Sequence, residues 1–156
     1  MIARALGARA AARDGGLGPE WADVLAELPL FAGLPARHLR KIASLAGQTR
    51  FAEGSEIVRE GARGETFFLI LDGRVRVQRS GVAPVELGQG DFFGEMALLD
   101  GGPRSATVVA LTPVLAMRLS RRPFMRLLAA EPEVAAAMLR ELAQRLREAQ
   151  AQAEHH

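Results

Sequence analysis

Two hydrophobic periods divide this chain. Between Gln48 and Leu119, apolar and polar residues alternate within short β-branched and aromatic runs, and glycines recur every seven to ten residues between the runs. Regularly spaced short runs with such turns predict antiparallel strands that form a sandwich or barrel. Before and after this segment the apolar residues fall at helical spacing, which predicts helices at both ends.

The individual strands follow from these runs. We predict strands over six segments: Glu56 to Arg59, Glu65 to Leu71, Arg74 to Gln78, Val82 to Leu87, Thr107 to Ala110 and Val114 to Leu119. Asp72-Gly73 lies between two of them and is typical of a two-residue hairpin turn. Val75 and Val77 alternate with three arginines, which predicts one apolar and one basic strand face: Arg74, Arg76 and Arg79. A solvated face is the ordinary interpretation of the arginines, and a nucleic-acid surface is the alternative.

Helical patterns precede the strands. A first helix is marked by four apolar residues: Trp21, Val24, Leu25 and Leu28. A second helix over Pro35 to Ala46 is predicted to turn three residues inward: Leu39, Ile42 and Leu45. His38 lies alone in this second helix without companions at metal-ligand spacing, so we expect it at the surface or in a helix cap.

Two further helices follow the strands. Arg121 to Ala130 predicts one helix, and Pro132 opens a longer one that runs toward Gln150. The longer helix carries a stripe at spacings of four and three, with two more leucines beside it: Val134, Met138, Leu142 and Arg145, then Leu139 and Leu146. This stripe packs on the barrel, on a twin helix in a homodimer, or over a bound ligand as a lid.

Together these elements predict an α+β fold, an eight-stranded antiparallel β-roll of jelly-roll-like form with helices at both ends. One domain is expected over residues 19–152, with the roll at about 48–119 and the C-terminal helices at 121–152. Residues 1–18 are predicted to be a flexible leader rich in Ala, Arg and Gly, and residues 153–156 a purification-tag remnant.

Composition limits the function classes. The 156 residues are 49% hydrophobic and 24% charged, with a net charge of +2, which is typical of a globular domain and weak support for nucleic-acid binding. The absence of cysteine excludes disulfides and thiolate zinc sites. No apolar run is long enough to span a bilayer, so we expect a cytoplasmic protein without a membrane span in this chain.

The segment from Phe92 to Thr107 has the chemistry of a site for a small anion that also carries hydroxyl groups. Gly94 permits a close backbone approach, and the short helix predicted after it, Glu95 to Leu99, points unpaired N–H groups toward its start. Arg104 offers a planar guanidinium for a phosphate, and Ser105 adds a hydroxyl. The carboxylate of Glu95 beside an anion is reasonable if the ligand also presents hydroxyl donors, as a ribose does.

At these residues a family resemblance becomes specific. Phe93-Gly94-Glu95-Met96-Ala97-Leu98, followed by Pro103-Arg104-Ser105-Ala106-Thr107-Val108, resembles the phosphate-binding cassette of the cyclic-nucleotide-binding domain family. That family includes regulatory subunits of cAMP-dependent kinase, catabolite-activator transcription factors and cyclic-nucleotide-gated channels. From Val85 to Val108 the amino-acid sequence is most similar to cytoplasmic domains of bacterial cyclic-nucleotide-gated potassium channels.

The resemblance implies a role for each cassette residue. Arg104 would pair with the cyclic phosphate, Glu95 would accept from the ribose 2′-hydroxyl, and Ser105 would donate to a phosphate oxygen. The amides near Gly94, Met96 and Ala97 would line the seat, and Phe93 belongs to the same set. Arg145 falls where channel-type members carry an arginine that stacks on the base, with Leu142 as the adjacent apolar contact. Candidate apolar walls are Val77, Val85, Leu87 and Val108.

The resulting prediction is a regulatory sensor domain that binds cAMP in preference to cGMP, needs no cofactor, and closes its C-terminal helix over the ligand. Cyclic dinucleotides are an outside alternative. Two other readings stay open: a gating domain of a larger cyclic-nucleotide-regulated channel, and a pseudo-domain that contacts proteins without ligand. We expect no catalysis, because no metal set or nucleophile with a base is present. DNA binding is not expected, and the effector is unknown.

Overall fold

The computed structural model describes residues 15–154, and the roll predicted from the sequence is confirmed. Nine strands form two antiparallel sheets: β1 (Gly15–Gly16), β2 (Gly47–Phe51), β3 (Glu56–Val58), β4 (Thr66–Asp72), β5 (Val75–Arg79), β6 (Val82–Leu87), β7 (Phe92–Phe93), β8 (Thr107–Ala110) and β9 (Val114–Ser120). One sheet has the order β1-β2-β9-β4-β7 and the other the order β3-β8-β5-β6. Strands β2–β9 are the eight strands of the predicted roll, and β1 extends one edge.

The turn at Asp72-Gly73 does not form the predicted hairpin. Strand β4 pairs with β7 and β9, whereas β5 pairs with β6 and β8, so this turn carries the chain from one sheet to the other. Gly73 has φ +102°, and a Cβ there would lie 2.4 Å from the Pro113 carbonyl oxygen. A glycine is therefore needed, as the dipeptide indicated, but for a sheet crossing packed against another turn.

Five α-helices surround the roll: α1 (Ala22–Leu25), α2 (Ala36–Leu45), α3 (Glu95–Asp100), α4 (Arg121–Ala130) and α5 (Pro132–Glu154). Two 3₁₀ turns, Pro19–Trp21 and Pro29–Phe31, lie before and after α1 in the chain. We call α3 the cassette helix and α5 the final helix. The N-terminal helices, the cassette helix and the two C-terminal helices thus occur in the predicted order.

The described part of the domain begins earlier than the predicted boundary at residue 18. Gly15–Gly16 pairs with Gly47 and Gln48, and Leu17 is only 1% exposed, with its N–H donating to the Ala46 carbonyl at 2.9 Å. An apolar residue between glycines is enough to extend the core in this direction. Residues 1–14 of the predicted leader, and 155–156 of the predicted tag remnant, lie outside the described residues.

The helices pack on one face of the five-stranded sheet. The large, fully buried side chains of this helical core include Trp21, Phe31, Phe67 and Phe124. Leu45 is 45% exposed, so its predicted inward position is wrong. Ala43 and Ala46 are buried instead, because they continue the face of Leu39 at spacings of four and seven, and position 45 falls off that face.

A single residue, Glu131, separates α4 from the final helix, and its side chain contacts a third helix. His38 of α2 donates a hydrogen bond from Nδ1 to Oε1 of Glu131 at 3.0 Å. Val134 and Met138 are buried in the helical core, whereas Leu139 and Leu146 are largely exposed. The first half of the final helix is therefore packed on the domain, and its later turns reach across the open side of the roll.

Candidate functional site

A cavity of about 340 Å³ opens inside the roll, between the four-stranded sheet, the cassette helix and the final helix. That volume is within the range of small-molecule sites. Most of the predicted site residues line it: Val77, Leu87, Phe93, Gly94, Glu95, Met96, Ala97, Arg104, Ser105, Val108, Leu142 and Arg145. The cassette and the predicted residues of the final helix, Leu142 and Arg145, therefore meet at one cavity.

Gly94 sets the geometry of the cassette. Its φ of +89° is left-handed, and a Cβ there would lie 2.7 Å from the Thr66 carbonyl oxygen and 2.9 Å from Nη1 of Arg104. The cassette helix begins immediately after it and ends at Gly101, which is also left-handed with φ +72°. Glycine is thus required at position 94 both by the backbone conformation and by the close approach of the arginine.

Arg104 is 6% exposed and is fixed by its backbone and its side chain. Its N–H donates to the Ala62 carbonyl and its carbonyl accepts from the Gly61 N–H, each at 2.8 Å, while Nη1 donates to the Gly94 carbonyl at 3.1 Å. Burial lowers the pKa of Arg104 and the charge of Glu95 opposes this, yet a guanidinium stays charged at neutral pH. A buried cation without a carboxylate within ion-pair distance among residues 15–154 suits an anionic ligand.

Glu95 is 4% exposed and shares its two oxygens between the cassette and the final helix. Oε1 accepts from Nη1 of Arg145 at 3.2 Å, and Oε2 accepts from the N–H of Met96 at 3.0 Å. Burial raises the pKa of Glu95, and the nearby charges of Arg145 and Arg79 oppose the rise. The Met96 amide, predicted to line the anion seat, is thus bonded to the cassette's own carboxylate.

All three guanidinium nitrogens of Arg145 donate hydrogen bonds, two of them to residues outside the final helix. Nε donates to Glu141 at 2.9 Å and Nη2 donates to the Phe92 carbonyl at 2.8 Å, in addition to the contact with Glu95. The guanidinium carbon lies 4.5 Å from the centroid of the Phe92 ring. The arginine predicted to stack on a base therefore stacks on an aromatic side chain of the roll in this structure.

Val85 is the one predicted site residue that does not line the cavity. It pairs with Val77 and so shares the sheet face of that residue, but it is 44% exposed. It lines a neighbouring groove of about 280 Å³ between the β5–β6 hairpin and the final helix. Leu87, two residues further along the same edge strand, has the same parity and does line the cavity, so the cavity ends between these two positions.

Arg79 is the functional candidate that sequence reasoning misplaced. It was grouped with the outward arginines Arg74 and Arg76, but it lines both the cavity and the neighbouring groove. The signal was available, since position 79 has the same parity as Val75 and Val77. Four further lining residues were not predicted: Val58, Ala106, Leu146 and Ala149.

The sequence of residues 48–131 matches the family model described as the cyclic nucleotide-binding domain. The chain therefore belongs to the cyclic nucleotide-binding domain family. Among residues 15–154, no group of three or more acidic or histidine side chains has the arrangement of a metal site. None of the helices within that range is both long and apolar enough to cross a membrane.

Similar proteins include a kinase regulatory subunit and a potassium channel. A cAMP-dependent protein kinase regulatory subunit from Aspergillus fumigatus is 43% identical over 106 residues, covering 67% of this chain and 26% of that protein. A cyclic nucleotide-gated potassium channel from Rhizobium etli is 42% identical over 113 residues, covering 72% of this chain and 32% of that protein. The chain thus spans about a quarter to a third of the length of these relatives.

Solved structures share the fold. A cyclic nucleotide-binding domain from Methylobacillus flagellatus superposes with a TM-score of 0.77 at 28% sequence identity, covering 88% of this chain and 84% of that one. This superposition covers a larger share of the chain than residues 48–131, which match the family model.

Proposed function

We propose that this domain binds a cyclic nucleotide, cAMP in preference to cGMP, and passes occupancy to an effector through its final helix. The observation that carries the proposal is the cavity in which buried Arg104 and buried Glu95 face apolar walls. Arg104 supplies a cation for the cyclic phosphate and Glu95 an acceptor for the ribose 2′-hydroxyl. The apolar walls Val77, Leu87 and Leu142 leave room for a purine.

The preference for cAMP is supported by two lines of argument. The cassette form Arg104-Ser105-Ala106 resembles that of bacterial cAMP receptors, and the relative from Aspergillus fumigatus is named for its dependence on cAMP. Ser105 also lines the cavity, and a hydroxyl at this position favours guanine in some eukaryotic members of the family. We therefore propose a preference for cAMP with weaker binding of cGMP.

Calorimetric titration with cAMP and cGMP tests the binding, with Arg104→Ala as the variant and Arg50→Ala, an exposed arginine of β2, as the matched control. Loss of a charge-assisted contact to a desolvated phosphate should cost about 2–5 kcal/mol, or roughly thirtyfold or more in affinity. The control should bind like wild type. Failure of folded wild-type protein to bind either nucleotide would contradict the proposal and favour the pseudo-domain alternative.

The proposed signal is the position of the final helix. Glu95 holds Arg145 through Oε1, and in the proposed complex the same carboxylate accepts from the ligand. Ligand binding would then change the stability of the contact between the cassette and the final helix, and so shift the population of docked helix. The contact of Arg145 with the Phe92 carbonyl belongs to the same docked arrangement, whereas its contact with Glu141 lies within the final helix.

Hydrogen exchange of the final helix, with and without saturating cAMP, tests this mechanism. We expect cAMP to increase protection beyond residue 140 in wild type and to have a much smaller effect in Arg145→Ala. Arg140→Ala, an exposed arginine of the same helix, serves as the control. Equal protection of the helix in free and bound wild-type protein would show that the helix does not carry the signal.

A gating domain of a larger channel is the second candidate, favoured by the 42% identity with the channel from Rhizobium etli. In either case we propose a regulatory, non-catalytic role for this domain. The cytoplasmic location stays a prediction. So does a homodimer through terminal helices, for which the exposed Leu139 and Leu146 supply an apolar surface.

A further inference from the structure

The cavity has one more positive charge than the proposed cyclic nucleotide and the cassette need. Three arginines line it, Arg79, Arg104 and Arg145, together with the buried carboxylate of Glu95. Arg145 pairs with Glu95 and Glu141, and the cyclic phosphate would engage Arg104. Within residues 15–154 no ion pair engages Arg79, so this guanidinium is available to a ligand.

The strand geometry directs Arg79 toward the ligand. Its parity matches that of Val75 and Val77, which face the interior of the roll. The register between β5 and β6 shifts beside it, from Val77 opposite Val85 to Arg79 opposite Val82. This bulge leaves the extra residue on β6, and such irregularities commonly re-aim side chains next to binding sites.

The base of the ligand is the part that comes near Arg79. This step rests on the proposed function, in which Glu95 accepts from the 2′-hydroxyl. The base is attached to the ribose carbon next to the one that carries this hydroxyl, so it leaves the sugar close to Glu95. Arg79 lines both the cavity and the adjoining groove, as does Arg145, the residue that the family resemblance places against the base. The charge of Arg79 also acts on Glu95.

A guanidinium donates hydrogen bonds and accepts none. Guanine presents two neighbouring acceptors, O6 and N7, whereas adenine presents N7 beside an amino group that is itself a donor. We propose that Arg79 is a specificity-determining residue that donates to O6 and N7 of a guanine base. This contact strengthens the binding of cGMP, and so it reduces the preference of the site for cAMP over cGMP.

Calorimetric titration of wild type, Arg79→Ala and Arg79→Lys with cAMP, cGMP and cIMP tests this assignment. The inosine nucleotide keeps O6 and N7 but lacks the 2-amino group of guanine. Because Arg79 is exposed, we expect Arg79→Ala to weaken cGMP and cIMP binding by about five- to tenfold, the low end for a bidentate contact, and cAMP binding by less than about twofold. Arg76→Ala, an exposed arginine of the same strand, should change none of the three.

The lysine variant separates charge from geometry. Arg79→Lys keeps the positive charge but loses the planar fork, so most of the loss for cGMP and cIMP should remain. Equal weakening of all three nucleotides would overturn the proposal in favour of general attraction or stacking. A loss for cGMP alone would also overturn the proposal, because the effect of Arg79 would then depend on the 2-amino group and not on O6 and N7. No loss at all would mean that Arg79 does not contact the ligand. If wild type binds none of the nucleotides, the proposed function fails together with this inference.

Discussion

Strand β4 separates two interiors that are built in different ways. Phe67, Leu69 and Leu71 enter the helical core, and the alternate residues Phe68 and Ile70 enter the roll. On the helical side aromatic rings fill the space, with the centroids of Phe67 and Phe124 4.9 Å apart. On the roll side the packed cluster, with Phe68 stacked on Phe93 at 5.1 Å, ends at a cavity.

The two interiors differ most in charge. Two charged residues of the cassette, Glu95 and Arg104, are buried at the cavity, and neither is within ion-pair distance of the other among the described pairs. Burying charge costs free energy that packed aromatic side chains do not cost. Glu95 is paired with Arg145, whereas Arg104 has no carboxylate within ion-pair distance among residues 15–154. We therefore expect the helical side to determine stability and the roll side to determine binding.

Phe67→Ala tests the helical side and has the largest expected effect. Phe67 is fully buried and packs on the rings of Phe92 and Phe124, so truncation should lower the free energy of unfolding by about 3–5 kcal/mol. Met125→Ala, an exposed apolar residue of α4, should change it by less than about 1 kcal/mol. Urea unfolding measures both, and equal losses would contradict the assignment of stability to the helical core, because Met125 lies at the surface.

Gly94→Ala tests the roll side through the cassette backbone. A left-handed backbone costs a residue with a Cβ about 1–2 kcal/mol, and the contact with Thr66 and Arg104 adds to this cost. Gly101→Ala is the matched control, because it has the same handedness but nothing within 4 Å of the added Cβ. We expect about 1 kcal/mol of lost stability for Gly101→Ala and roughly twice that for Gly94→Ala.

The two glycine variants should separate further in binding. Gly94→Ala should lose most of its affinity for cAMP, because the Cβ displaces Arg104, while Gly101→Ala should retain it. Similar affinities in the two variants, measured by calorimetry, would mean that the position of Arg104 does not depend on Gly94.

The pH dependence of stability tests the cost of burying Glu95 and has the smallest expected effect. Because burial raises the pKa of Glu95 in the folded protein, its contribution to stability is fully present below the unfolded pKa and is lost as the pH rises through the folded pKa. The free energy of unfolding of wild type, relative to Glu95→Gln, should therefore fall as the pH rises through that window. Urea unfolding at a series of pH values measures it. A difference that grows with pH would mean that the ion pair with Arg145 outweighs burial.

The fold was predictable because its periodicity is strong and its turns are marked by glycine. The strand segment around Val82 to Leu87 matches β6, and the helix predicted at Arg121 to Ala130 matches α4. Sheet membership was harder, as the turn at Gly73 demonstrates, because a positive φ specifies a turn but not the strand that will pair across it. Leu45 was misplaced for a different reason, because the prediction followed its large apolar side chain, whereas the helical spacing from Leu39 leads to Ala43 and Ala46.

The site was predictable where the chemistry lies within one local motif. Gly94, Glu95 and Arg104 are close in sequence, and both their chemistry and the family resemblance predict that they form one anion site. The distant contributions were less accessible. Arg145 reaches Glu95 only because the final helix crosses the roll, and nothing local indicates that its guanidinium stacks on Phe92. Arg79 was not predicted as a site residue, because it was assigned to the basic strand face together with Arg74 and Arg76.

The packing around Arg104 has a consequence for how such a domain diverges over time. A Cβ at Gly64 would lie 2.4 Å from Nε of Arg104, just as one at Gly94 would lie 2.9 Å from Nη1. The arginine is therefore enclosed by two glycines, of which only one belongs to the recognised motif. A descendant could keep the whole cassette and still lose its arginine geometry through one substitution at Gly64. When related domains that bind ligand are compared with those that do not, the residue at the position of Gly64 should be examined together with the one at Arg104.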